Sequence, residues 1–72
     1  MSAVETEALA IQAELRQRQA DLEIARAQKF ETWANAITGT SNLALEAKAT
    51  YLELALACRI AANLILSPYQ NQ

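Results

Sequence analysis

Residues 41–66 read SNLALEAKATYLELALACRIAANLIL, and this stretch decides the fold. Eighteen of the 26 residues are apolar, and only Glu46, Lys48, Glu53 and Arg59 carry charge. There is no Gly or Pro to break a helix. A helix that is apolar around most of its circumference needs cover on more than one side, unlike a surface helix with one wet face. The rest of the 72-residue chain is short for that task. The expectation is therefore an all-α hairpin that assembles with copies of itself into a helical bundle, a four-helix bundle in the simplest dimeric case.

Just upstream, Thr38-Gly39-Thr40-Ser41-Asn42 is the one clear break in the pattern. Gly39 fits a left-handed C-terminal cap, and Ser41 or Asn42 fits the N-cap of the next helix. So short a connection makes the two helices antiparallel neighbours. Before it, a helical pattern reaches back to Ser2-Ala3-Val4-Glu5, which fits a capping box. Downstream, Pro68 disfavours helix at the residue before it. The reading is one domain over 1–72: helix 3–37, turn 38–41, helix 42–66 and a polar tail 67–72.

The first helix carries a main apolar stripe of Val4, Ala8, Ile11, Leu15, Leu22, Phe30, Trp33 and Ile37. Arg18, Gln19, Arg26 and Lys29 interrupt it. Beside it runs a thinner ridge of Leu9, Ala13, Ala20, Ala27 and Ala34, whose alanines recur every seven residues. Small residues at heptad spacing admit a close second helix. The second helix has two stripes: Leu43, Ala47, Tyr51, Leu54, Cys58, Ala61, Ile65, and Leu45, Ala49, Leu52, Leu56, Ile60. One belongs to the first helix and the other to a partner; spacing does not decide which. The candidate partner interface is the alanine ridge with Leu9, together with Leu45, Ala49, Leu52, Leu56 and Ile60. Pairing Ile37 with Asn42 sets Arg26 near Glu53 and Leu66 near Ala13, and leaves residues 3–12 projecting. Phe30 and Trp33 then plug the turn end against Leu43 and Ala47.

Composition narrows the chemistry. With no His and a single Cys, a Cys/His metal site and an internal disulfide are excluded, and no cofactor is expected. Small chains need extra stabilisation, which points again to oligomerisation. Cys58 reads as a small buried hydrophobe, since no imidazole is present to activate it. No carboxylate pair, Gly-rich phosphate loop or serine triad is evident. The chain is expected not to be an enzyme. Glu5 and Glu7 stand where a signal peptide would be basic. Glu53 and Arg59 split the apolar run, so no membrane span is expected. A lone free thiol fits the cytoplasm.

Arg18, Arg26, Lys29 and Glu53 are candidate polar contacts at the helix margins. Trp33-Ala34-Asn35 lacks the Gly two residues after Trp that marks secreted WXG-type hairpins. The plan is similar in architecture alone to small dimeric hairpins that form four-helix bundles. The expected function is a non-catalytic interaction module, a homo-oligomeric adaptor, chaperone or small regulator, dimeric in its simplest form, with a larger protein as a further partner. One alternative is a small inhibitor, an anti-effector of a mobile element, that blocks a larger complex. Another is a nucleic-acid-binding bundle using Arg16, Arg18, Arg26 and Lys29, which the net charge of -2 disfavours.

Overall fold

The computed structural model describes residues 2–70, with side chains through residue 67. It holds two helices, α1 (Ala3–Ala36) and α2 (Asn42–Gln70), packed along each other as an antiparallel hairpin. Among the described residues there is no strand.

The caps form largely as the sequence expects. Ser2 Oγ accepts the Glu5 N–H at 3.1 Å, and the Ser2 carbonyl accepts the Thr6 N–H at 3.0 Å. At the start of α2, Ser41 Oγ accepts the Ala44 N–H at 3.2 Å, so Ser41 is the N-cap and Asn42 the first helical residue. The end of α1 differs from expectation. Gly39 does not take a left-handed conformation, and no described residue has positive φ. The chain leaves α1 through Ile37, at φ -81° and ψ 107°, whose N–H bonds the Ala34 carbonyl at 3.2 Å. An exit through extended backbone needs no left-handed residue. What Gly39 supplies is space, because a Cβ there would sit 3.2 Å from the Ala44 Cβ.

The end of α2 differs too. Helix continues past Pro68 to Gln70 rather than stopping at Leu66 or Ser67. Pro68 withholds one N–H from the ladder, but it does so in the last turn, where few bonds follow. The bias that Pro places on its predecessor is a preference, and the helix overrides it here. The Tyr69 side chain lies outside the described residues.

The extended loop also corrects the register. The molecule is 61 Å long, of which the 34-residue α1 accounts for about 51 Å. The loop climbs past the end of α1 before α2 turns back, so the two helices are not level at the turn. Tyr51, expected opposite Gln28, instead packs its ring on Phe30 and Trp33. Arg59, expected opposite Ala20, reaches Glu31, and Ile65 lies beside Leu22, Glu23 and Arg26. The shift is roughly two turns of 3.6 residues. It leaves the first turns of α1 without a neighbour, and Val4, Leu9, Ile11 and Leu15 on this arm are exposed.

Among the described residues the core is made only of alanine. Ala20, Ala27 and Ala34 are 0% exposed, and Ala55 and Ala62 meet them from α2. This overturns one expectation: the alanine ridge seats the second helix of the same chain, not a second chain. Methyl groups let two backbones approach closely, whereas a leucine ridge would hold them further apart. Each methyl contributes only about 0.8 kcal/mol on burial, so the seam is a thin core for the chain.

Candidate functional site

The seam divides the hairpin surface into two flanks. Residues along a helix step by about 100°, so Phe30 and Glu31 stand on opposite sides of the Ala27–Ala34 line. Each meets α2 on its own side.

On the Phe30 flank, three rings gather near the turn. Phe30 and Trp33 meet edge to face at 5.7 Å, Trp33 and Tyr51 at 5.7 Å, and Phe30 stacks on Tyr51 at 6.2 Å. The cluster uses Tyr51 rather than the expected Leu43 and Ala47, and Leu43 is left 78% exposed. Val4, Ile11, Leu15, Leu22 and Trp33 recur at intervals of 7, 4, 7 and 11 residues, which keeps them on this side. All five are exposed. From α2, Leu43, Ala47, Tyr51, Leu54, Cys58 and Ile65 join them at spacings of three, four and seven. Together they form a broad apolar face two helices wide. Shallow hollows indent it, one lined by Leu15, Arg18, Gln19 and Leu22, another by Leu22, Glu23, Arg26 and Ile65. Cys58 lies here as a half-buried free thiol rather than a fully buried one.

The Glu31 flank is different. Arg59 grips the Glu31 carboxylate with two donors, Nε at 3.0 Å and an Nη at 2.7 Å. Leu52 precedes Arg59 by one heptad and Leu45 precedes Leu52 by another, so both share this side. Leu45, Leu52, Leu56 and Ile60 are all about half or more exposed, and Ala49 is exposed among them. Most α1 positions beside them are polar, namely Gln17, Asp21, Gln28, Thr32 and Asn35, with Ile24 half-buried among them. Gln17 donates to Asp21 at 3.0 Å, and Thr32 to the Gln28 carbonyl at 2.9 Å. This second face is therefore the narrower one, carried mainly by α2.

The paired donors of Arg59 hold the Glu31 carboxyl below its usual range, and partial desolvation works the other way. The reverse effect raises Arg59 further. A depressed carboxyl pKa in the folded state gives stability that is fully present above the unfolded pKa. That stability is lost as pH falls through the folded value. From about pH 6 to about pH 3 the wild type should therefore lose more stability than Glu31→Gln, with the two curves converging at the acid end. Urea midpoints across that range measure it, and parallel curves would mean that the pair contributes nothing.

The other candidate contacts lie apart. Arg18 pairs with Glu14 at 3.2 Å and Arg26 with Glu23 at 2.8 Å, both within α1 and both solvent-exposed on the arginine side. Arg26 and Glu53 are not brought together, because the register moved. Arg16 rests on Gln19 at 3.5 Å, and with Arg18, Arg26 and Lys29 it spans about half the helix circumference rather than one stripe. Leu9 and Ala13 continue the seam line onto the uncovered arm, Leu9 exposed and Ala13 half-buried. Glu31 and its grip on Arg59 escaped the sequence reading. The usable signal was its place four residues after Ala27, beside the alanine ridge.

Asn42–Ser67 is long and apolar enough to cross a membrane by length and composition, with 11% of its most apolar window buried in the hairpin. No protein-family model, curated protein or solved structure matches the chain.

Proposed function

We propose that this chain is a non-catalytic protein–protein interaction module, a helical homo-oligomer that acts as an adaptor, chaperone or small regulator. The observation that carries the reading is the exposure of large aliphatic side chains on both flanks of the hairpin. Val4 at 76%, Leu22 at 64% and Leu56 at 60% are examples. Monomeric proteins rarely expose contiguous apolar surface on this scale. An alanine seam cannot bury it, because the leucines point away from the seam. Association removes it from water and adds the stability that a chain of this length needs. Size-exclusion chromatography with light scattering tests the proposal. The expected mass is a multiple of the 7.9 kDa chain, and a well-folded monomer at micromolar concentration would overturn it.

The length and composition of α2 favour a second reading, in which that helix enters a bilayer. Glu53 and Arg59 weigh against it, since each costs about 2.5–3.5 kcal/mol near the centre of a span. Co-flotation with lipid vesicles, and no soluble oligomer, is the outcome that would select it.

A further inference from the structure

We infer that the turn is a hinge: when residues 37–41 become helical, α1 of one copy packs on α2 of a second copy, and two chains close into an exchanged antiparallel dimer. This rests on the self-association reading above and supplies one route to it that does not depend on the exposed flanks. Three observations carry it.

The first is phase. The buried residues of α1 are Ala20, Ala27 and Ala34, and those of α2 are Ala55 and Ala62. Ala55 stands three whole heptads after Ala34, so both rows belong to one frame, with Ser41 and Lys48 at the steps between. The half-buried seam residues keep the same count. Phe30, Ile37, Ala44, Tyr51, Cys58 and Ile65 follow one another at intervals of seven, from one helix into the next. A hairpin sets no such condition, because its loop can deliver α2 at any rotation. A continuous helix does set it: an unbroken heptad frame is what keeps the two seams on one side of a rod.

The second is that the contacts are transferable. The alanine seam, the Tyr51 ring against Phe30 and Trp33, and the two-donor grip of Arg59 on Glu31 all join α1 to α2. An exchanged partner remakes each of them. The two-fold axis of such a dimer falls at the hinge, where Ser41 and Ala44 continue the small-residue line and admit a close approach.

The third is the turn itself. No described residue has positive φ, and residues 37–41 include no Pro, so nothing in the turn forbids helix. What opposes it is propensity, since Gly and Thr are weak helix formers. The closed turn in turn opposes bulk, because a Cβ on Gly39 would sit 3.2 Å from the Ala44 Cβ. Gly39 therefore favours the closed form on both counts.

Gly39→Ala crowds the closed turn and favours helix. It should raise the dimer association constant on the order of 10-fold or more, read by light scattering over a concentration series, because two hinges open per dimer. The decisive test mixes two full-length variants, Glu31→Arg and Arg59→Glu. Each alone sets like charges across the seam, both in a hairpin and in its own exchanged dimer. Unfolded together in urea and refolded, an exchanged heterodimer sets the introduced arginine against the introduced glutamate and native Glu31 against native Arg59. Native mass spectrometry should find heterodimer as about three quarters of all dimers rather than the statistical half. Adding Thr40→Pro to both chains blocks helix through the hinge and should return the share to half. Should either charge variant lose helix by circular dichroism, Glu31→Lys and Arg59→Asp make the same reversal. A share of half without the proline, or an excess that survives it, overturns the inference and leaves self-association standing. So does a Gly39→Ala chain that dimerises no better than wild type. If neither wild type nor Gly39→Ala associates, the broader reading falls with it.

Discussion

Ala27→Leu should lower the melting temperature by on the order of 10 °C. Ala27 is 0% exposed in the middle of the seam, with Ala20 and Ala34 equally covered a heptad away on either side. Three added heavy atoms have no cavity to enter, and rotating the side chain out of a line where two backbones nearly touch is blocked by both. The helices must part, and parting them at Ala27 loosens the contacts at Ala55 and Ala62 as well. Overpacking of a tight core typically costs about 1–3 kcal/mol. In a domain of this size each kcal/mol moves the midpoint by about 4–8 °C. Ala25→Leu is the control. Ala25 is exposed on the same helix, so the change should stay within about 0.5 kcal/mol. Thermal melts at one fixed chain concentration compare them, because association would otherwise shift the midpoint. Equal melts for the two variants would mean that the seam is not where the helices meet.

Tyr51→Ala should cost about 1–3 kcal/mol, and Tyr51→Phe much less. Among the described residues, the Tyr51 ring is the only group from α2 in the aromatic cluster, at 6.2 Å from Phe30 and 5.7 Å from Trp33. Two ring pairs of about 0.5–1.5 kcal/mol each depend on it, whereas the hydroxyl takes no part in the ring contacts. The cluster also fixes the register at the turn end, so its loss should blur the near-UV dichroism of Trp33 before far-UV helix content falls. Urea unfolding followed by Trp33 fluorescence gives the stability change. An alanine variant as stable as wild type would assign the register to the Glu31–Arg59 pair and the loop instead.

The two helices were legible because the signals for them are local. One Gly and one Pro in the chain, a Ser cap before each helix and a polar break at 38–41 suffice to place both elements. What was not legible is which stripe faces inward. Ranking residues by hydrophobicity puts Leu15, Leu22 and Trp33 in the core and leaves Ala20, Ala27 and Ala34 as margin. The fold reverses that order, because closeness of approach is set by the smallest side chains. The register was hidden for a different reason. It depends on an extended exit at Ile37 and on contacts between residues far apart in the chain, Glu31 with Arg59 and Trp33 with Tyr51. No short window of sequence contains both members of such a pair. The exposed stripe Leu45, Ala49, Leu52, Leu56 and Ile60 could be recognised as a stripe, though not as the outward one.

A contact built from methyl groups has no rotamers to freeze. Alanine loses no side-chain entropy on burial, whereas leucine and isoleucine lose about 0.5–1 kcal/mol each. Zipping the two helices together therefore immobilises almost nothing beyond the backbone. The torsional freedom of Leu22, Leu45, Leu56 and Ile60 is still intact in the isolated hairpin, and it is surrendered only when something settles over them.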